Sequence, residues 1–283
     1  MANTVPDEVP VDQHPPGLYP SNGRTDYIDS LSEIGEQEIA QFHEQGYLAI
    51  RQAFTPEQIQ SSGQAMWDLI DGKNPDFKGL QAEADKRANF DALPSEKRRD
   101  AVRKLWQFID HDQRLKDLAE DPTLINLITQ LMNDTPILFQ DMGLIKPPRI
   151  GREKPWHQDC AYFNYPVETT VVGVWIAIDA ATEENGCLHI IPGSHKEGAQ
   201  PHFSRRDWQI CDTDVAVQRD VTVPLEPGGC LIWHGLTQHG SPPNPTDQRR
   251  RALQYHYRPE RAVALTKEDR LAVYGGESLG ITC

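Results

Sequence analysis

The residues of this chain best equipped for chemistry are His157 and Asp159, in the run His157-Gln158-Asp159, and a distant His239 that opens His239-Gly240-Ser241. Residues i and i+2 of an extended strand share a face, so a strand over residues 155–160 sets an imidazole beside a carboxylate. A second imidazole arriving from another strand would complete two nitrogens and one oxygen on one side of a metal ion. That donor set suits non-haem Fe(II) and leaves the opposite coordination positions open for oxygen chemistry. H-x-D alone is weak evidence in a chain with 10 histidines and 42 acidic residues. The order of the parts gives it weight: a Trp-flanked His-Gln-Asp, a strand-like run, turn and glycine punctuation, His-Gly-Ser, and then Arg250.

Together with Phe42-His43-Glu44-Gln45-Gly46-Tyr47, Lys146-Pro147-Pro148, Glu184-Asn185-Gly186-Cys187-Leu188, Ile191-Pro192-Gly193-Ser194-His195-Lys196 and His256-Tyr257, this order resembles the phytanoyl-CoA dioxygenase family of Fe(II)/2-oxoglutarate-dependent oxygenases. The resemblance spans most of the chain and implies a jelly-roll core around an iron site. It implies His157, Asp159 and His239 as the ligands of Fe(II). Two of the remaining positions then go to the oxo-acid end of 2-oxoglutarate and one to dioxygen, with succinate and CO2 released and ascorbate stimulating turnover. By its position relative to His239, Arg250 is the residue implied to hold the far carboxylate, with Ser241 adding a hydroxyl. Lys104, Met142 and Trp175 match positions that line the co-substrate; for Lys104 an exposed lysine is the competing reading.

Arginine suits such an anchor because its planar fork meets a carboxylate with two parallel hydrogen bonds, and an unpaired anion in a dry pocket is costly. On a strand Arg250 faces away from Arg249 and Arg251, which then read as solvated or paired outside. His189, His195, His202, His234 and His256 read as hydrogen-bonded core or turn imidazoles. Trp156, Tyr162, Phe163 and Tyr165 are candidates for shaping an apolar substrate pocket.

Halogenating relatives lack the carboxylate that Asp159 supplies here, so the expected reaction is hydroxylation of a C–H bond in a small-molecule metabolite. Desaturation or ring rearrangement would use the same ligands. Readings from other classes are a non-catalytic cupin-like binding protein and a zinc hydrolase. Arg250 speaks against both, since neither needs a carboxylate anchor beside an open metal position.

The elements that must position these residues are short. Runs at 138–145, 155–160, 169–178, 187–191, 215–223, 230–233 and 252–257 have β character, as does a short run at 47–50 within the helical prelude, and Asn185-Gly186 signals a hairpin between two of the later ones. Thr55-Pro56-Glu57-Gln58 and Asp121-Pro122 each announce a helix. The expected fold is therefore mainly β with flanking helices, a double-stranded β-helix (jelly roll, cupin-like). One oxygenase domain is expected over residues 31–283, with a helical prelude at about 31–135, the jelly-roll core at about 136–260 and a tail at about 261–283. Residues 1–30, rich in proline and polar residues, read as an extended, partly disordered arm that adds little stability. The charged stretch 72–100 reads as a solvated helix or loop, with a mobile lid as the alternative.

The 28 basic against 42 acidic residues give a formal charge of −14, which argues against a nucleic-acid partner. No run approaches the roughly 20 apolar residues of a membrane span, and no signal peptide is recognisable. Cys160, Cys187, Cys211, Cys230 and Cys283 are odd in number and widely spaced, so reduced thiols and a cytoplasmic setting are expected.

Overall fold

Proline-capped amphipathic runs in the first half of the chain and alternating apolar residues in the second separate into helices and strands as their periods require. The computed structural model describes residues 13–83, 89–90 and 92–283. Its elements in chain order are β1 (Ile28–Ser30), α1 (Glu36–Gln45), β2 (Tyr47–Gln52), α2 (Pro56–Ile70), β3 (Leu80–Ala82), α3 (Ser95–Ala101), β4 (Val102–Trp106), α4 (Gln113–Ala119), α5 (Pro122–Met132), β5 (Pro136–Lys146) and β6 (Lys154–His157). There follow β7 (Val172–Ala177), β8 (Leu188–Ile190), β9 (His202–Ser204), β10 (Trp208–Ile210), β11 (Val221–Val223), β12 (Cys230–His234), β13 (His239–Ser241), β14 (Arg250–Pro259) and α6 (Lys267–Tyr274).

The larger sheet has the order β1-β2-β12-β7-β14-β5-β4-β3, the smaller β11-β8-β13-β6. Alternation along the central strands of the larger sheet sorts its side chains into two layers. Leu48, Ile50, Val174, Ile176, Ile232, Leu253 and Tyr255 face the helices, where Phe42, Met66, Leu115, Leu118 and Ile128 meet them. Ala49, Trp175, Ala177, Leu231, Trp233 and Ala252 face inward and meet Leu188, Ile190 and Val223 of the smaller sheet. Each large apolar side chain so buried contributes roughly 1.5–3 kcal/mol. The result is the expected jelly roll, mainly β with helices on one face. Both helix starts form as read: Thr55 accepts from the Gln58 amide, and Asp121 from the amides of Thr123 and Leu124.

Several expectations are corrected. β6 ends at His157, and Asp159 opens a 3-10 turn, Asp159–Tyr162, rather than continuing a strand. Gln158 between them is extended, which keeps His157 and Asp159 on one side. Asn185-Gly186 closes no hairpin, because β7 belongs to the larger sheet and β8 to the smaller; the turn carries the chain from one sheet to the other. Of the run 215–223 only β11 is strand. The strand expected at 47–50 forms as β2, but the prelude is less helical than expected, since β1, β3 and β4 also join the larger sheet.

The arm is also different from its expected form. Residues 1–12 lie outside the described residues, but from Gln13 onward the arm is docked. Leu18 is buried against Trp156, whose indole donates to the Leu18 carbonyl (3.1 Å). Tyr19 stacks on Trp156 and donates to Glu153 (2.7 Å), and β1 pairs in parallel with β2. In the charged stretch 72–100, for which a lid is the alternative reading, the structure holds β3 and most of α3, and residues 84–88 and 91 lie outside the described residues. Two of the five cysteines are not free: Cys211 and Cys283 form a disulfide, while Cys160, Cys187 and Cys230 are buried thiols.

Candidate metal centre and co-substrate pocket

His157 and His239 sit opposite each other in the register of β6 and β13, their ring centroids 4.2 Å apart. The 82 residues between them are thus bridged by strand pairing. Each ring turns Nδ1 to a backbone carbonyl two residues earlier, His157 to Pro155 (2.8 Å) and His239 to Thr237 (3.0 Å). A protonated Nδ1 donating there leaves both Nε2 atoms as lone-pair donors into the site. The His157 Nε2 lies 3.3 Å from one Asp159 oxygen and the His239 Nε2 3.6 Å from the other. Ligand atoms roughly 2.1 Å from one ion and at right angles stand about 3 Å apart, so these spacings fit a shared cation. All three residues are buried, and one ligand atom from each lies within 4.8 Å of the others.

The protonation states match. Burial pushes the His157 imidazole down to about 3 and lowers His239 too, so both are neutral ligands at neutral pH. Burial opposes ionisation of Asp159, yet His239 and His256 hold its carboxyl well below the usual range. Two donors converge on the same Asp159 oxygen: the Trp233 indole N–H (2.9 Å) and His256 Nε2 (2.9 Å). They orient the carboxylate and leave Oδ1 for an ion. Trp233 reaches this place because its β7 neighbour is Gly173, where a Cβ would stand 2.6 Å from the indole ring.

The floor of the cleft is the inward row of four neighbouring strands. Arg250, Ala252, Gln254 and His256 on β14 pair with Lys146, Leu144, Met142 and Gln140 on β5. Lys104 and Trp106 of β4 lie beside Leu144 and Met142, and Trp175 of β7 lies beside Gln254. His157, Asp159, Leu188, His239 and Ser241 form the roof. The cleft measures about 820 Å³, its open mouth included. All eight residues singled out in the sequence, Lys104, Met142, His157, Asp159, Trp175, His239, Ser241 and Arg250, line it together.

Arg250 is buried with its guanidinium 5.2 Å from the Trp175 ring centroid. It has no ion pair or hydrogen bond among the described residues, and its Nε and the Trp175 Nε1 are both buried without partners. Burial lowers its pKa to about 10, which keeps it cationic at neutral pH. Its neighbours face the other way, Arg251 bonded to Asp179 and Arg249 paired with Asp100. A buried cation and an indole N–H without acceptors, across a cleft from three metal-type donors, fit a carboxylate guest.

Sequence reasoning missed the roles of three residues here. His256, read as structural, supports Asp159; its even spacing from Arg250 on one strand was the available signal. Trp233 carried no signal of its own, and Lys146 entered only through the run Lys146-Pro147-Pro148, with no role attached. Tyr162 is at the mouth, its hydroxyl between Lys154 Nζ (2.7 Å) and the Trp208 carbonyl (2.5 Å). Of the other candidate aromatics, Phe163 lines the cleft, whereas Trp156 is buried behind the smaller sheet under the arm.

Comparison with known proteins agrees with this geometry. The family model described as phytanoyl-CoA dioxygenase matches residues 42–252. Phytanoyl-CoA dioxygenase domain-containing protein 1 of Mus musculus is 31% identical over 209 residues, covering 71% of this chain and 70% of its own length. A probable phytanoyl-CoA dioxygenase of Caenorhabditis elegans is 27% identical over 251 residues, 83% of this chain and 78% of its own. Among solved structures the fold is shared with EvdO2 from Micromonospora carbonacea var. aurantiaca complexed with 2-oxoglutarate (TM-score 0.65, 23% identity, 83% of this chain and 94% of that one). EctD from S. alaskensis with bound Fe gives 0.65 at 21% identity, covering 83% and 80%. The non-heme alpha ketoglutarate dependent epimerase SnoN gives 0.62 at 18%, covering 82% and 85%. The chain therefore belongs to the phytanoyl-CoA dioxygenase family and is a non-haem iron, 2-oxoglutarate-dependent dioxygenase.

Proposed function

We propose that His157, Asp159 and His239 hold Fe(II), and that Arg250, with Ser241 and Trp175, anchors the far carboxylate of 2-oxoglutarate between Lys104 and Met142. The observation that carries this reading is Arg250. A buried lone cation is costly, and a dicarboxylate chelating the neighbouring metal would bring the missing counter-charge to it. When bound, iron and 2-oxoglutarate would let dioxygen act as the oxidant, one oxygen atom going to the co-substrate as it is decarboxylated to succinate and CO2 and the other to a C–H bond of a small molecule.

The chain's own side chains do the positioning. The carbonyl-bound Nδ1 atoms aim both imidazoles, Trp233 and His256 keep Asp159 ionised and oriented, and Met142, Leu144 and Leu188 limit water. Trp106, Tyr162 and Phe163 face the substrate from the open side. The presence of Asp159 favours hydroxylation over halogenation. Desaturation or rearrangement stands as the second reading, because the same fold serves an epimerase.

The test is succinate formation by the purified protein with Fe(II), 2-oxoglutarate and ascorbate across a panel of metabolites. Substrate-stimulated succinate with a product heavier by one oxygen atom is expected, with ascorbate raising the yield. A product lighter by two hydrogens would replace hydroxylation by desaturation, and zinc-supported hydrolysis without succinate would overturn the reading. A cytoplasmic setting is part of the proposal. The Cys211–Cys283 bond speaks against it, since structural disulfides are rare in reducing compartments; counting reactive thiols in protein isolated under alkylation decides.

A further inference from the structure

We infer that Lys146 is the second cation of the co-substrate pocket and makes it selective for a dianion; the inference rests on the reading of Arg250 given above. Lys146 ends β5 directly opposite Arg250 in register, so both side chains project from the same face into the cleft. It is buried, and its ammonium donates only to neutral backbone carbonyls: Arg152 (2.7 Å), Pro242 (2.5 Å) and Ser241 (3.3 Å). Among the described residues it has no ion pair. The passage for its stem is built, because a Cβ on Gly151 would lie 2.6 Å from the Lys146 Cβ and one on Gly186 3.1 Å from its Cδ.

Carbonyls satisfy the hydrogen-bonding capacity of an ammonium but not its charge. Like charges directly opposite on paired strands destabilise a sheet, and here the two side chains stand side by side away from water, where burial and the neighbouring Arg250 draw the Lys146 ammonium well below its usual range until an anion joins them. Hydrocarbon of the same length would fill the space without that penalty. The arrangement is accounted for if an anion carrying more than one charge enters between Arg250 and the metal. The same carbonyl contacts tie Lys146 to Ser241 and Pro242, which follow His239, and to the Arg152 segment that leads into β6. Lys146 thereby also sets the distance between the anion pocket and the two histidine strands. It is a positioning residue whose charge acts on the co-substrate through space.

The experiment is anaerobic calorimetric titration of Fe(II)-loaded, full-length protein with 2-oxoglutarate, using wild type, Lys146→Met, Lys146→Gln and Arg250→Ala. Glutamine keeps donors for the carbonyls and removes the charge, whereas methionine removes both. Lys146→Gln should weaken 2-oxoglutarate on the order of ten- to a hundredfold, with Fe(II) affinity measured without co-substrate unchanged, and Lys146→Met should weaken it at least as much. A Lys146→Gln variant that binds like wild type would reduce Lys146 to a backbone tether and overturn the inference. If Arg250→Ala loses affinity while neither Lys146 variant does, the pocket stands and the inference fails. If none of the three loses affinity, the reading of the pocket itself is wrong. Should Lys146→Met not fold, the Lys146→Gln comparison decides alone.

Discussion

At the scale of single residues, Asp159 and Arg250 are opposite solutions to burying a charge. Asp159 is surrounded by donors, so its charge is stabilised before any metal arrives; Arg250 is left without an acceptor. His157→Ala, Asp159→Ala and His239→Ala should each abolish Fe(II) binding and succinate formation while the far-ultraviolet circular dichroism stays native. Asp159→Ala should also cost about 1–3 kcal/mol, because Trp233 and His256 lose their acceptor. Retained iron in any of the three would remove that residue from the ligand set. Truncating one partner of a buried charge pair costs roughly 2–5 kcal/mol, so Arg250→Ala should weaken 2-oxoglutarate on the order of 30-fold to a few thousand-fold. Arg250→Lys should fall between, restoring charge without the fork. Arg249→Ala and Arg251→Ala should bind like wild type; a loss in either instead of Arg250→Ala would place the anchor on a neighbouring residue.

Among the elements, β7 and the arm have the most to say. Gly173 gives up a side chain so that the Trp233 ring can lie across β7 and hold Asp159. Gly173→Ala should cost about 1–3 kcal/mol by overpacking and lower iron affinity without touching a ligand, as metal titration would show. An unaltered iron affinity would mean that Trp233 does not orient the carboxylate. The arm's Leu18 and Tyr19 cover Trp156 of β6, and Thr25 reaches β11 at the other edge of the smaller sheet, its amide donating to the Thr222 carbonyl (3.0 Å). Deleting residues 1–25 should lower stability by about 2–4 kcal/mol, from the lost burial of Leu18 and its hydrogen bonds. Urea unfolding at wild-type stability would show that the docking contributes nothing.

The molecule as a whole is acidic, yet it gathers Arg103, Lys104, Lys146, Arg152, Lys154 and Arg250 around one cleft. They outnumber the two carboxylates of the same lining, Glu153 and Asp159, and so set a local positive field against the sign of the total charge, as the proposed dicarboxylate guest requires. Cys283 is tied in as well, the disulfide closing a separation of 72 residues from Cys211. A cross-link over a loop of that length stabilises by roughly 2–4 kcal/mol. Cys283→Ser should lower the melting temperature by several degrees, and reductant should bring wild type down to the variant while leaving the variant unmoved. A wild type insensitive to reductant would show that the bond does not form in solution.

Local order was enough for much of this. Thr55-Pro56 and Asp121-Pro122 start helices because a cap and its proline act within one turn, and the alternation at Arg250 places it opposite Arg249 and Arg251 because strand period is a backbone property. His157, Asp159 and His239 were legible as a set through motif order, since each motif is contiguous. Other features depended on partners far away in the chain. The docking of Leu18 on Trp156, the support of Asp159 by Trp233, the strand β4 that brings Lys104 beside Met142, and the Cys211–Cys283 bond leave no local trace. The hairpin expected at Asn185-Gly186 failed for the same reason: a turn's residues set its backbone angles, but which sheet receives the next strand is decided by where Leu188 and Ile190 can be buried. Side-chain periodicity is written residue by residue, whereas burial and charge compensation exist only once distant segments have met.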